Sequence, residues 1–174
     1  GLVVTSIAPA AGPTSGATPI EVYGSGFANA SAMSCGFFAA AGVGDTPFAT
    51  TPAEFLSPSR VRCFAPASSR ALLATLRLSA NGVEYTDHGA HYAYHEPVVV
   101  LSVWPQLGPE DGGTLVTIEG RHFLPHETLS CQFADAPPSR AMWLNAETVR
   151  CVAPASRGLE RANVSVTNNL SDFM

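Results

Sequence analysis

The sequence predicts an all-β protein made of two tandem β-sandwich domains, and three observations support this prediction. Apolar residues occur in short runs of β-branched or alternating character, and no segment has helical periodicity. Gly and Pro account for 15 and 14 of the 174 residues, so turn signals are frequent along the chain. The sequence also repeats itself, and repetition at a fixed spacing is typical of an array of small modules.

The repeat extends over most of both halves of the chain. Residues Pro9–Phe37 align without a gap to Pro105–Phe133, at an offset of 96 positions. The offset then falls to 88, because the first copy carries eight extra residues between its cysteines. Beyond this point Val61–Ser68 (VRCFAPAS) aligns to Val149–Ser156 (VRCVAPAS). Positions identical in both copies before the change of offset are Pro9, Gly12, Pro13, Gly16, Thr18, Gly24, Phe27, Ser34, Cys35 and Phe37.

The repeat divides the chain into predicted domains at residues 1–96 and 97–174. Strands are predicted at Val3–Ile7, Ile20–Tyr23, Met33–Phe37, Glu54–Leu56, Arg60–Phe64, Ala74–Ser79 and His91–His95, and then at Val98–Trp104, Thr114–Glu119, Leu129–Phe133, Ala141–Leu144, Thr148–Val152 and Ala162–Thr167. This number of short strands indicates an immunoglobulin-like sandwich in each domain. The second copy has no counterpart of His91–His95, so its last strand is predicted to be missing.

The four cysteines fall one pair to each repeat, at matching positions. This placement favours bridges from Cys35 to Cys63 and from Cys131 to Cys151 over the two other connectivities. Each bridge would stabilise its small domain by about 3 kcal/mol. The alternative is four free, buried thiols in a cytosolic protein.

Three N-x-[ST] sequons begin at Asn29, Asn163 and Asn169, and they make N-glycans candidate modifications on a secretory route. The formal net charge is −5, and the nine cationic residues are scattered, which argues against binding to nucleic acid or to an anionic membrane. The sequence has no run of 18 apolar residues, so membrane insertion of this segment is not expected. It is interpreted as a fragment of a larger extracellular or cell-surface protein.

The sequence predicts no enzyme, metal site or cofactor. It contains no G-x-S-x-G element, and its cysteines are assigned to bridges. His91 and His95 would lie about 13 Å apart along one face of a strand, too far for one ion. The Glu110–Asp111 pair lacks the further oxygen ligands that calcium requires.

Two motifs connect the repeats to a known family. The pattern P-x-x-G-P-x-x-G-x-T-x-[IV]-x-[VI]-x-G-x-x-F occurs at residues 9–27 and 105–123, and S-C-x-F and V-R-C-x-A-P-A-S follow it in both copies. Together they resemble the IPT/TIG domain, the immunoglobulin-like module of plexins, Met-type receptors and fibrocystin-type surface proteins. The cysteine-bearing form resembles the tandem repeats of large extracellular proteins in algae and other protists more than it resembles the versions found in transcription factors. The resemblance implies a non-catalytic extracellular module.

Aromatic residues supply the candidate contacts with partners. Trp104 and Trp143 are of the residue type that dominates interface hot spots, although packing in the core or at the domain junction is the alternative. The segment at residues 37–44, which includes Phe37 and Phe38, is assigned to the eight-residue insertion. An apolar loop present in only one copy is a candidate contact surface.

The resulting hypothesis is a structural or adhesive module that acts as a rigid spacer and protein-protein interaction unit. Its partners would be other protein chains or further repeats of the same polypeptide. Pro97, between two predicted strands, would restrict motion at the junction. The alternatives are the stalk of a plexin-like signalling receptor and a carbohydrate-binding accessory domain of a secreted enzyme. A strand lying beyond residue 174, or one from another chain, is expected to complete the second domain.

Overall fold

The structure, a computed structural model, describes residues 1–41, 44–156, 158 and 161–174. Its regular elements in this part of the chain are all β-strands, which confirms the predicted all-β class. The strands form two compact units, Gly1–Glu96 and Pro97–Met174. Each unit is a sandwich of two sheets.

The strands of the first unit are β1 (Val3–Ala8), β2 (Ala11–Pro13), β3 (Pro19–Ser25), β4 (Ser34–Ala39), β5 (Ala49–Pro52), β6 (Glu54–Ser57), β7 (Arg60–Phe64), β8 (Leu72–Ser79) and β9 (Ala90–His95). One sheet has the order β1-β3-β7-β6 and the other the order β2-β9-β8-β4-β5. The short β2 runs parallel to β9, whereas the other pairs are antiparallel. The strand β9 therefore lies between β2 and β8 and closes one side of the sandwich.

The strands of the second unit are β10 (Val99–Trp104), β11 (Leu115–Arg121), β12 (Ser130–Phe133), β13 (Ser139–Arg140), β14 (Met142–Asn145), β15 (Thr148–Val152) and β16 (Val164–Thr167). One sheet has the order β10-β11-β15-β14 and the other the order β13-β12-β16. The first of these sheets corresponds strand by strand to β1-β3-β7-β6.

Alternation along equivalent strands fills the two cores. Ile20 and Val22 of β3 and Val116 and Ile118 of β11 point inward and are buried. Full burial of one such side chain is worth about 1.5–3 kcal/mol. Each unit builds its own cluster of buried side chains, so each has the core that an independent domain requires.

The disulfides join the two sheets of each sandwich. Cys35 on β4 is bonded to Cys63 on β7, and Cys131 on β12 is bonded to Cys151 on β15. The Cα–Cα distance is 6.4 Å in both bridges, and all four side chains are buried. The predicted connectivity is confirmed.

Three short strands were not predicted from the sequence. The sequences of β2 (AGP), β5 (ATTP) and β13 (SR) have no apolar alternation, and each strand lies at the outer edge of its sheet. Their backbone pairing depends on a neighbouring strand that is distant in sequence, so local patterning gives no signal for them.

The described residues of the second unit form no strand equivalent to β9. Beyond β16, Met174 forms two backbone hydrogen bonds with Val166, with N–O distances of 2.9 and 3.1 Å. The equivalent contact in the first unit joins Thr86 N to Leu78 O at 2.9 Å, just before the chain enters β9. The side of β16 that faces away from β12 therefore lacks the strand that covers β8.

Candidate interaction surfaces

The side of the second unit that corresponds to the position of β9 is open. In the first unit, β9 covers Thr18, Ala74 and Leu76, and all three are fully buried. Their equivalents in the second unit are more accessible, since Ala162 is exposed and Thr114 and Val164 are only half-buried. We call the surface formed by residues 107–109, Thr114 and residues 162–164 the strand cleft.

A glycine marks the floor of the strand cleft. In the first unit, a Cβ atom on Gly12 would lie 2.0 Å from the hydroxyl of Tyr92 on β9, so only glycine leaves room for that ring. The equivalent Gly108 keeps this space, and the contacts of its added Cβ would be with the Thr114 side chain, the nearest at 2.7 Å. The cleft thus retains the shape that accommodates an aromatic ring from a covering strand.

Two large apolar side chains, one at the end of β10 and one just beyond it, are exposed. Leu107 is 88% exposed and Trp104 is 73% exposed. The equivalent positions in the first copy are alanines, Ala8 and Ala11, the second of which pairs with β9. Trp104 therefore lies at the surface of its unit rather than in its core, which is consistent with a role in contacts with a partner.

A second apolar surface follows the edge strand β14. Met142, Trp143 and Leu144 are all exposed, and Trp143 is 41% exposed although its indole Nε1 donates to the Phe123 carbonyl at 3.0 Å. At the position of Met142 the first unit has Glu54, which forms an ion pair with Arg62 at 3.6 Å. We call Met142, Trp143 and Leu144 the edge patch.

Sequence analysis missed Met142, Leu144 and Leu107 as surface residues. An apolar residue in a strand is usually assigned to the core. A comparison of the two copies could have identified this surface, because Met142 stands on an edge strand where the first copy has Glu54, an ion-paired glutamate. An unpaired, apolar edge is a surface that favours association.

The structure corrects the assignment of Phe37 and Phe38 to a contact surface. Both residues belong to β4 and are buried. Phe37 packs edge-on against Tyr92, with ring centroids 6.3 Å apart. Phe38 faces the other way, where Tyr85 and the guanidinium of Arg77 cover its ring. In the rest of the segment at 37–44, Gly42 and Val43 lie outside the described residues.

A polar cluster occupies the outer face of the first unit. Glu21 on β3 accepts hydrogen bonds from the Tyr23 hydroxyl at 2.8 Å and from Arg62 at 3.4 Å, and Arg60 lies 3.5 Å away. The hydrogen bond from Tyr23, assisted by both arginines, lowers the pKa of Glu21, and the same bond raises the pKa of Tyr23. These groups are solvated and mutually satisfied, so they form a surface ion-pair network rather than a reactive centre.

The three sequons have different surroundings. Asn29 and Asn163 are exposed. Asn169 is only 8% exposed, and its Nδ2 donates to Asp172 at 2.6 Å while its Oδ1 accepts from the backbone of Ser171 and Asp172. In the folded chain the amide of Asn169 is enclosed by this turn, so it is the least accessible of the three sequon asparagines.

The described residues contain no group of three or more His, Cys, Asp or Glu side chains close enough to hold a metal ion. Within them, His91 Nδ1 lies 3.5 Å from Thr75 Oγ1, and His95 Nδ1 lies 3.0 Å from the Glu96 carbonyl. A search of the same residues finds no helix long and apolar enough to span a membrane.

Comparison with family models identifies both units. The model of the IPT/TIG domain matches residues 2–94 and matches the chain again at residues 97–173. The chain belongs to the IPT/TIG family. Its two IPT/TIG domains are the two disulfide-linked sandwiches described above, with the family motifs at the turns that enter and leave β3 and β11.

Plexins are among the proteins similar to this IPT/TIG pair. Human Plexin-B3 is 26% identical to it over 119 residues, a region that covers 68% of this chain and 6% of Plexin-B3. A structure of the full extracellular region of Plexin A4 has a TM-score of 0.58 at 19% identity, covering 95% of this chain and 14% of that one. The second likeness shows the shared fold. The chain spans only a small part of either plexin.

Proposed function

We propose that this IPT/TIG pair is a non-catalytic module of an extracellular or cell-surface protein, in which it acts as a rigid spacer and contacts other protein chains. The observation that carries this proposal is the presence of two separate cores, each with a buried disulfide between its sheets. Buried structural disulfides are typical of secreted and extracellular proteins. The similarity to plexin extracellular regions supports the same location.

The short connection between the domains supports the spacer role. Between the end of β9 and the start of β10 lie residues 96–98. The His95 carbonyl accepts a hydrogen bond from Thr14 N at 2.8 Å. The Pro97 carbonyl is hydrogen-bonded to His122 Nδ1 at 2.7 Å. Val98 is already buried in the second core. Each domain thus holds the chain up to Glu96, and the proline ring fixes one further backbone angle.

We predict a narrow range of distances between the two domains in solution. Small-angle X-ray scattering would compare the chain with a variant carrying Gly-Ser-Gly-Ser between Glu96 and Pro97. Four such residues add a flexible reach of about 10–12 Å, so the variant should sample a broad distribution and the original chain a single narrow one. If the scattering curves of both proteins can be fitted only by equally broad ensembles of interdomain distances, the spacer role is wrong.

The edge patch supports contact with protein partners. Methionine and tryptophan are enriched at the centres of interfaces, and the patch lies on a sheet edge whose backbone groups can pair with another strand. A second candidate function is the stalk of a plexin-like signalling receptor, which the identity to Plexin-B3 favours. The full polypeptide distinguishes the two, because a receptor requires a membrane span and a cytoplasmic signalling domain.

We predict glycans at Asn29 and Asn163 but not at Asn169. The first two amides are exposed, whereas the third is buried by its turn. Glycopeptide mass spectrometry of the chain secreted from eukaryotic cells tests this. Removal of the glycans with a glycanase in ¹⁸O-labelled water converts each glycosylated asparagine to a labelled aspartate and so marks the occupied sites. Occupancy of Asn169 in the folded, disulfide-bonded protein would contradict the prediction.

A further inference from the structure

We propose that the second domain carries a self-complementary face through which two copies of this chain associate. The inference rests on the proposed function, contact with other protein chains, and it names the partner as a second copy. The face is the outward side of the sheet β10-β11-β15-β14. We call Trp104, Leu115, Thr117, Arg150 and Val152 the association face.

An arginine lies at the centre of this sheet in both units. In the first unit Arg62 on β7 lies between two glutamates, one on each neighbouring strand, at distances of 3.4 and 3.6 Å. The equivalent Arg150 on β15 has Thr117 and Met142 in these two places. Arg150 is exposed and forms no ion pair with any residue that the structure describes. The second unit has therefore kept the cation without its carboxylate partners.

Apolar side chains surround Arg150 on the association face. Trp104 is 73% exposed and lies opposite Thr117, in the same row across the sheet as Arg150. Leu115 and Val152 lie opposite each other in the next row, and both are exposed. The residues that follow them or precede them along β11 and β15 are buried, so strand alternation directs these side chains outward. A matching surface must supply both a carboxylate and apolar area.

Carboxylates that match Arg150 lie in the same unit, beyond the apolar row. Val152 is two residues along β15 from Arg150, which corresponds to about 6–7 Å. Further along, Ser156 N donates to the Glu110 carbonyl at 2.8 Å. Glu110 and Asp111 are exposed, and neither forms an ion pair within the described part of the chain. The order along the sheet is therefore cation, apolar row, anions.

This order is self-complementary under a two-fold rotation. An axis through the apolar row places the apolar side chains of two copies against each other. It also brings Arg150 of each copy towards Glu110 and Asp111 of the other, because a two-fold interface repeats each contact in reverse. Opposite charges at both ends fix the register, and the apolar centre excludes water. An interface on one face of so small a domain buries little area, so the dimer is weak and reversible.

Sedimentation equilibrium of the full chain tests the proposal over about 10 µM to 1 mM protein. We expect a concentration-dependent monomer–dimer equilibrium. Arg150→Glu should raise the dissociation constant at least about tenfold, and so should the double variant Glu110→Lys/Asp111→Lys, because each places like charges opposite one another. Arg140→Glu is the matched control, since it makes the same change of charge at an exposed residue of β13, in the other sheet, and should leave the constant unchanged.

A mixture of the two charge variants is the sharpest form of the test. The Arg150→Glu chain has anions at both ends of its apolar row, and the Glu110→Lys/Asp111→Lys chain has cations at both ends. Neither chain should dimerise alone, whereas the equimolar mixture should form a heterodimer at least as tight as the parent dimer. A merely structural effect of the substitutions would not restore association. All changed side chains are exposed, and urea unfolding followed by tryptophan fluorescence checks that each variant folds.

Three results would overturn the proposal. They are a parent chain that stays monomeric up to about 1 mM, a dimer that Arg150→Glu and Arg140→Glu affect equally, and folded charge variants whose mixture does not associate. None of these results bears on the spacer role, which the scattering comparison with the Gly-Ser-Gly-Ser variant tests separately. The two proposals can therefore fail independently.

Discussion

Replacement of Gly112 by alanine is expected to destabilise the second IPT/TIG domain by about 2–5 kcal/mol. Gly112 has φ +77°, and a Cβ atom there would lie 2.6 Å from Ala155 N and from the Pro154 carbonyl carbon, and 2.9 Å from Ala153 O. The left-handed conformation costs a non-glycine residue about 1–2 kcal/mol. Relief of the overlap with backbone atoms adds about 1–3 kcal/mol.

The adjacent Gly113 is a matched control for this substitution. It has φ +85°, but no atom lies within 4 Å of an added Cβ. The first copy already has an alanine, Ala17, at the equivalent position with φ +65°. Gly113→Ala should therefore cost only the conformational part, about 1–2 kcal/mol.

Tryptophan fluorescence during urea unfolding measures this difference. Trp104 and Trp143 are the two tryptophans of the sequence, and both belong to the second domain, so their signal follows that domain. Equal losses of stability for Gly112→Ala and Gly113→Ala would show that the contact with residues 153–155 does not constrain the turn.

Removal of the second disulfide is the other change with a large expected effect. Cys131 and Cys151 are separated by 20 residues, and the chain-entropy relation gives a loss of about 3 kcal/mol when both are replaced by alanine. This is a large part of the stability of a domain of this size. The second domain should unfold at a much lower urea concentration.

The Cys35→Ala/Cys63→Ala chain is the control for the disulfide variant. It removes an equivalent bridge from the first domain, and each domain has its own core. The tryptophan transition should therefore remain where it is in the parent chain. If both double variants shift this transition equally, the two domains do not unfold as separate units.

Sequence patterns were sufficient for the parts of the fold that rest on local periodicity. The strands predicted at Ile20–Tyr23 and Thr114–Glu119 correspond to β3 and β11, and their alternating apolar residues, Ile20 with Val22 and Val116 with Ile118, are the buried ones. The bridges followed from the repeat, because equivalent positions in two copies of one fold must find equivalent partners. These features depend on few residues and on rules that hold across β-proteins.

The candidate sites depended on tertiary contacts and were less predictable. Phe38 follows an inward-facing residue and precedes a run of alanines, so it was assigned to a loop, but Tyr85 and Arg77 cover it from distant positions. Asn169 belongs to a sequon whose burial follows from a turn closed by Asp172. The strand cleft emerged only when burial was compared between the two copies.

The most direct test of the central claim is disulfide mapping of the chain taken from the cells that produce it, without refolding. Non-reducing proteolysis and mass spectrometry should find the peptides of Cys35 and Cys63 linked, those of Cys131 and Cys151 linked, and no thiol that reacts with an alkylating agent. This result is expected of two separately bridged IPT/TIG domains in an oxidising, extracellular environment. Four alkylated cysteines, or a peptide that links residues 1–96 to residues 97–174, would contradict it.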